Sequence, residues 1–249
     1  MNNTELIGKE FRTKYSGICR IISLNNRKDI TVQFEDGYFT TCTLASLKAG
    51  SVFNPFHPKI YGIGFLGEGD YKTKVDGVIH PYYDAWRGAL RRSYDVRWHK
   101  KQPQYEDCCV DSRWYNYQDF CKWSDNQIFE VGYKLDKDLL VMGNKVYGPD
   151  TCVYLPNELN CIISDNWKQR DLPKGVNRTA NPRKKTKLFT ANCQRQGRSY
   201  TIGYFETPEE AAEAYKQTKE SYVKERAEFW KDRISLKAYE ALMVWELPK

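Results

Sequence analysis

The chain has 249 residues, enough for one large domain or two to three small ones, each able to bury a core of its own. Its 41% hydrophobic and 29% charged residues, at a mean hydropathy of -0.73, are those of a folded, soluble protein and sit badly with a disordered chain or a membrane span. The net charge of +7 is unevenly spread: residues 1–80 hold 10 basic and 8 acidic side chains (+2), residues 81–172 hold 13 and 14 (-1), and residues 173–249 hold 16 and 10 (+6).

No run of about 18 apolar residues exists. Met1-Asn2-Asn3-Thr4-Glu5 has neither the basic start nor the apolar stretch of a secretory signal, so the expected location is the cytosol, with no membrane partner. The eight cysteines are scattered through a chain too large to need stapling and are expected to be thiols, mostly buried. Paired C-x-x-C ligands are absent, and His57, His80 and His99 stand alone, which argues against a structural zinc.

The N-terminal segment, residues 1–60, alternates like a small antiparallel β structure. Gly17–Ile22 and Ile30–Phe34 are strand-like and are separated by the polar turn Asn25–Asp29; Asp36-Gly37 then reverses the chain into Tyr38–Thr43. This pattern resembles the Src-homology-type or KOW-like small β-barrels, which implies a protein partner or nucleic acid as ligand, or a module that simply packs. Residues 61–79 read as a Gly/Pro-rich linker. Its Gly62, Gly64 and Gly67 spell G-x-G-x-x-G, but no helix begins after Gly67, so no nucleotide cofactor is expected.

From Tyr82 the period becomes helical, with Tyr82, Trp86, Leu90 and Tyr94 on one face and Arg87, Arg91 and Arg92 on another, free to meet phosphates. A second aromatic helix is expected over Trp114–Trp123. The stretch Tyr133-Lys134-Leu135-Asp136-Lys137-Asp138, followed by Tyr147-Gly148-Pro149-Asp150-Thr151-Cys152 and by Val153–Asn160, resembles a family of phage HNH-like proteins, with Tyr83, Trp86, Arg92, Tyr105, Cys108, Trp114 and Phe120 matching upstream. The resemblance covers roughly residues 80–165 of an expected domain 80–172. It implies a ββα-metal core and one divalent metal, Mg²⁺ or Mn²⁺, with Asp136, Lys137, Asp138 and Asn160 as candidate catalytic residues.

Asp136 and Asp138 stand two apart, on one face of an expected strand, and are the metal-ligand candidates. Alternatively, they cap a turn or pair with Lys134 and Lys145. Lys137 occupies the place where HNH proteins carry their water-activating histidine, and lysine at its normal pKa is a poor base near neutral pH.

The C-terminal third, residues 173–249, carries Lys174–Arg198, a run of eight cations with no Asp or Glu, interleaved with amides. Strands are expected at Lys187–Cys193 and Arg198–Phe205. A helix is expected to follow, with Thr207 as cap, Pro208 at its first position, Glu210 completing a capping box, and Ala211, Ala214, Tyr215, Thr218 and Tyr222 on one face. A last helix over Ser235–Leu242 should pack through Leu236, Tyr239 and Leu242.

The pattern Gly203-x-Phe205-x-Thr207-x-Glu209-Glu210-Ala211-Ala212-x-Ala214-Tyr215 resembles the ethylene-response-factor DNA-binding domain. It implies a three-stranded antiparallel sheet backed by a helix that grips double-stranded DNA, with Arg183, Lys184, Lys185, Lys187, Asn192, Arg195 and Arg198 as DNA-binding candidates.

Together these elements give an α+β chain: a small β-barrel, an HNH-like centre and a basic sheet-plus-helix. The expected function is that of a phage-type DNA-binding protein, a metal-dependent homing endonuclease acting in the host cytosol if phage-encoded. The alternative is a catalytically degenerate DNA-binding or host-interaction protein on the same folds.

Overall fold

The computed structural model describes residues 6–164, 171–179 and 188–248. Within them the chain is α+β, with several small sheets and none closed into a barrel. It divides into two compact units, Met1–Asn126 with Lys145–Asp150, and Gln127–Asn144 with Thr151–Lys249.

In the first unit, β1 (Glu10–Arg12), β2 (Ile18–Asn26), β3 (Asp29–Phe34) and β4 (Phe39–Cys42) form an antiparallel meander in chain order. The expected barrel is corrected to this open sheet. The chain leaves β4 directly into α1 (Leu44–Lys48), which begins at Thr43 with a reciprocal capping box to Ser46, so it supplies no further strand to close the sheet. Ile30, Val32 and Phe34 alternate inward on β3 and pack with Cys19, Ile21, Leu47 and Val52.

The linker holds a two-residue hairpin, β5 (Lys74–Val75) and β6 (Val78–Ile79). Its turn residues Asp76 and Gly77 both have positive φ, as a type I′ turn requires. The upstream glycines serve packing: a Cβ on Gly64 would lie 2.4 Å from Leu90 Cδ1, and one on Gly67 would lie 2.1 Å from Asn116 Oδ1.

α2 (Pro81–Tyr94) buries Trp86, Ala89 and Leu90, close to the expected face, and is followed by α3 (Val96–His99) and β7 (Cys109–Val110). The second aromatic helix, α4 (Tyr117–Asp125), starts three residues later than expected because Asn116 is its cap, its side chain accepting from Gln118 N at 3.0 Å.

In the second unit, β8 (Lys134–Asp136) is the first strand; the next in the chain, β9 (Val146–Tyr147), lies parallel to β7 in the first unit. β10 (Val153–Leu155) then pairs antiparallel with β8, Val153 opposite Asp136, and leads into α5 (Asn157–Ile163). β11 (Val176–Arg178), β12 (Phe189–Arg195) and β13 (Arg198–Phe205) form an antiparallel sheet, backed by the 23-residue α6 (Pro208–Trp230). The last helix is α7 (Leu236–Met243), capped by Ser235. It packs through Ala238 and Leu242, whereas Leu236 is 70% exposed, contrary to expectation: as the first helical residue it precedes the buried stripe.

α6 joins two cores. Near its start Ala211 and Tyr215 pack with Val176, Ala191 and Cys193 of the sheet. Farther along, Val223 and Ala227 pack with Val153, Leu155 and Leu159, and with Ile234, Ala238 and Leu242. At about 1.5 Å per residue the helix spans roughly 35 Å, one rigid element shared by the sheet and the β8–β10–α5 motif.

Candidate nucleic-acid interface and carboxylate turn

β8 ends at Asp136, and the reason is local. Asp136 Oδ1 accepts from Asp138 N at 2.9 Å and from Leu139 N at 2.8 Å, so its side chain bonds the backbone ahead of it and turns the chain. Asp138 therefore lies in a turn and does not share a strand face with Asp136, as its two-residue spacing had suggested. Lys137 is 6% exposed; its Nζ donates to Asp138 Oδ1 at 2.6 Å and to Asn144 O at 2.5 Å, and Asn144 Nδ2 returns a bond to Lys137 O at 2.8 Å. Lys134 and Lys145, the partners considered from sequence, are not those that Asp138 takes.

The Asp136 carboxyl is pushed above the ordinary carboxylate range, chiefly by burial; the two backbone N–H groups act against that rise. The candidate metal set is thus two carboxylates, one spent on a turn and the other on an ammonium. As folded, it suits a cap and an ion pair better than a dication. Among the described residues no three His, Cys, Asp or Glu side chains converge on a point that could hold an ion.

Asn160, the fourth catalytic candidate, is half-buried on α5, and its carbonyl accepts from Ser164. The strongest polar contact beside it had no sequence signal. Glu158, in the first turn of α5, lies 2.7 Å from Arg226 Nε, accepts from Arg226 Nη2 at 3.0 Å, and accepts from Trp230 Nε1 at 2.9 Å. A separation of 68 residues hides such a pair from any local pattern.

The sheet offers a different surface on each face. Ala191 and Cys193 turn toward α6, so alternation places Thr190, Asn192 and Gln194 on the outer face. Their cross-strand partners follow: Asn177 and Tyr204 beside Thr190, Thr201 beside Asn192, and Ser199 beside Gln194. A bulge at Ile202, which has no partner between Ala191/Gly203 and Asn192/Thr201, lets that residue join the core. Asn177, Gln194, Ser199 and Thr201 are exposed, and Asn192 is half-buried. None of these five side chains bonds to another described residue, and Asn192 Oδ1 is shielded from solvent without a donor.

The described arginines of the sheet lie elsewhere. Arg195 sits over the Tyr222 ring at 5.1 Å, with Nη1 3.8 Å from Glu225 Oε2, and bounds a cleft of about 450 Å³ on the helix side with Cys193, Tyr200 and Tyr222. Arg198 is its exposed register partner across the Gln196-Gly197 turn, and Arg178 lies over Phe189. The structure therefore brings Asn192 onto the outer face and keeps Arg195 and Arg198 off it. Arg183, Lys184, Lys185 and Lys187 lie outside the described residues.

In the first unit Arg87 and Arg91 are exposed, Arg91 stacking 4.3 Å from the Trp98 ring. Arg92 is spent internally: its Nε donates to Tyr147 Oη at 2.6 Å, and its guanidinium lies over that ring.

All eight cysteines are free thiols, five of them buried. No helix among the described residues is long and apolar enough to cross a membrane. No protein-family model, curated protein or solved structure matches this chain.

Proposed function

We propose that this protein binds double-stranded DNA, with the outer face of the β11–β12–β13 sheet in the major groove and the acid-free cationic run Lys174–Arg198 along the phosphates. One observation carries the reading: five amide and hydroxyl side chains share an uncharged face without internal hydrogen bonds, while the surrounding segment is strongly basic. The resemblance to the ethylene-response-factor domain supplies the orientation, sheet to the duplex and helix behind it.

The order β8, β10, α5, an antiparallel pair followed by a helix, supports the HNH-like resemblance of the centre. Within that frame the geometry favours a catalytically degenerate, DNA-binding core. Lys137 stands where a general base is needed, yet it is buried and held by Asp138 and Asn144 as a clamp on the turn.

A second reading, a metal-dependent homing endonuclease, has one observation in its favour: Asp136 Oδ2 has no partner among the described residues, and the Asp138 side chain is 57% exposed. Plasmid nicking with Mg²⁺ or Mn²⁺ decides between the two. The favoured reading predicts duplex binding with no cutting in either metal; metal-dependent cutting lost in Asp136→Asn would establish the nuclease, and absence of duplex binding would end both.

A further inference from the structure

The chemistry of the outer face narrows what it can read. Each base pair shows a distinct pattern in the major groove: guanine offers two acceptors, which suit a guanidinium or ammonium. Adenine offers one acceptor and one donor, which suit the carboxamide of Asn or Gln. The outer face carries three carboxamides, Asn177, Asn192 and Gln194, with Ser199 and Thr201, and no charged side chain among its described residues. The nearby guanidinium groups are held on the helix side by Tyr222 and Phe189.

Asn192 sits at the centre of this face, its oxygen lacking a donor while its own β12 backbone N–H is taken by Gly175 O at 2.9 Å. The carboxamide therefore meets a base edge only once its side chain turns the shielded oxygen outward, and no internal hydrogen bond to that oxygen has to break for it to do so.

We infer that the sheet recognises adenine, with Asn192 and Gln194 each pairing one adenine through its N6 and N7 edge. The inference rests on the DNA-binding reading above and names the bases that this surface selects. Asn192 and Gln194 are two residues apart on one strand, about 7 Å, which matches two base-pair steps of about 3.4 Å. Asn177, beside Thr190, extends the row to a footprint of about four base pairs.

The test is selection of bound duplexes from a random-sequence library by the intact chain in EDTA, which removes any cutting from the readout. The expected result is a motif with adenine at two or more positions within about four base pairs. Asn192→Asp replaces the amide donor with a second acceptor and should move one of those positions from adenine to cytosine, changing the preference about tenfold. Gln194→Glu, on an exposed side chain, should do the same at another position and keeps the test decisive if the Asn192 variant does not fold. A motif centred on guanine, or binding that is equal for all sequences, overturns the inference while leaving DNA binding intact. Failure to retain any duplex at low salt overturns the DNA-binding reading as well.

Discussion

Asp136 and Lys137 illustrate how one residue can be claimed by either architecture or chemistry. A carboxylate two residues before a backbone N–H is a turn former by geometry, and here both Asp138 N and Leu139 N donate to it. The same oxygen cannot be given to a metal without unmaking the turn. Because burial raises the folded carboxyl above its unfolded value, the folded state takes up its proton first, and stability is lost as pH rises through the window above the ordinary carboxylate range.

Asp136→Asn keeps an oxygen for both N–H groups and removes the charge. Urea unfolding across pH should find the variant at least as stable as the wild type at pH 7, its advantage shrinking as pH falls toward about 4. A variant that is markedly less stable at pH 7 would mean that the charge itself holds the turn.

Among the elements, α6 decides most. Its start is legible in the sequence: Thr207 caps the helix, its hydroxyl accepting from Glu210 N at 3.2 Å, and Pro208 takes the first position. The Glu210 carboxylate closes on Glu206 N instead of completing the box on Thr207. The strands were equally readable, because Asp36-Gly37 and the alternation around Ile30–Phe34 are local signals.

What stayed hidden is non-local. Arg195 looks like a DNA ligand until Tyr222 and Glu225, about 30 residues on, draw it to the helix side. Asp138 looks like a strand residue until Asp136 ends the strand. The fold of the unit was therefore largely legible, whereas the membership of its sheet's outer face required the registers of β12 with β11 and β13.

α5 depends on α6 through Glu158, which pairs with a guanidinium whose residue is 8% exposed and accepts from its Nη2 and from the Trp230 indole. Glu158→Ala leaves that guanidinium and indole without their acceptor and should cost about 2 kcal/mol in chemical denaturation of the intact chain. A loss within about 0.5 kcal/mol would place the pair among exposed ion pairs that contribute little.

Over the whole molecule, charge and shape divide the work. The last third carries +6 of the net +7, yet the outer face of its sheet is uncharged among the described residues, so the proposed DNA binding assigns attraction and discrimination to different residues. On the proposed reading, the cations along the run supply affinity to any duplex and the amides supply choice. The carboxylate turn, joined to the sheet by α6, would add chemistry only if a metal displaced Lys137 from Asp138.

The salt dependence of duplex affinity is the most direct test of this account, measured by anisotropy on the intact chain between about 50 and 200 mM salt. It predicts a linear fall of log affinity with log salt, shallower in the Lys184→Ala, Lys185→Ala, Lys187→Ala variant by about 0.9 for each phosphate that the variant no longer neutralises. An affinity indifferent to salt, or a variant with the wild-type slope, would contradict it.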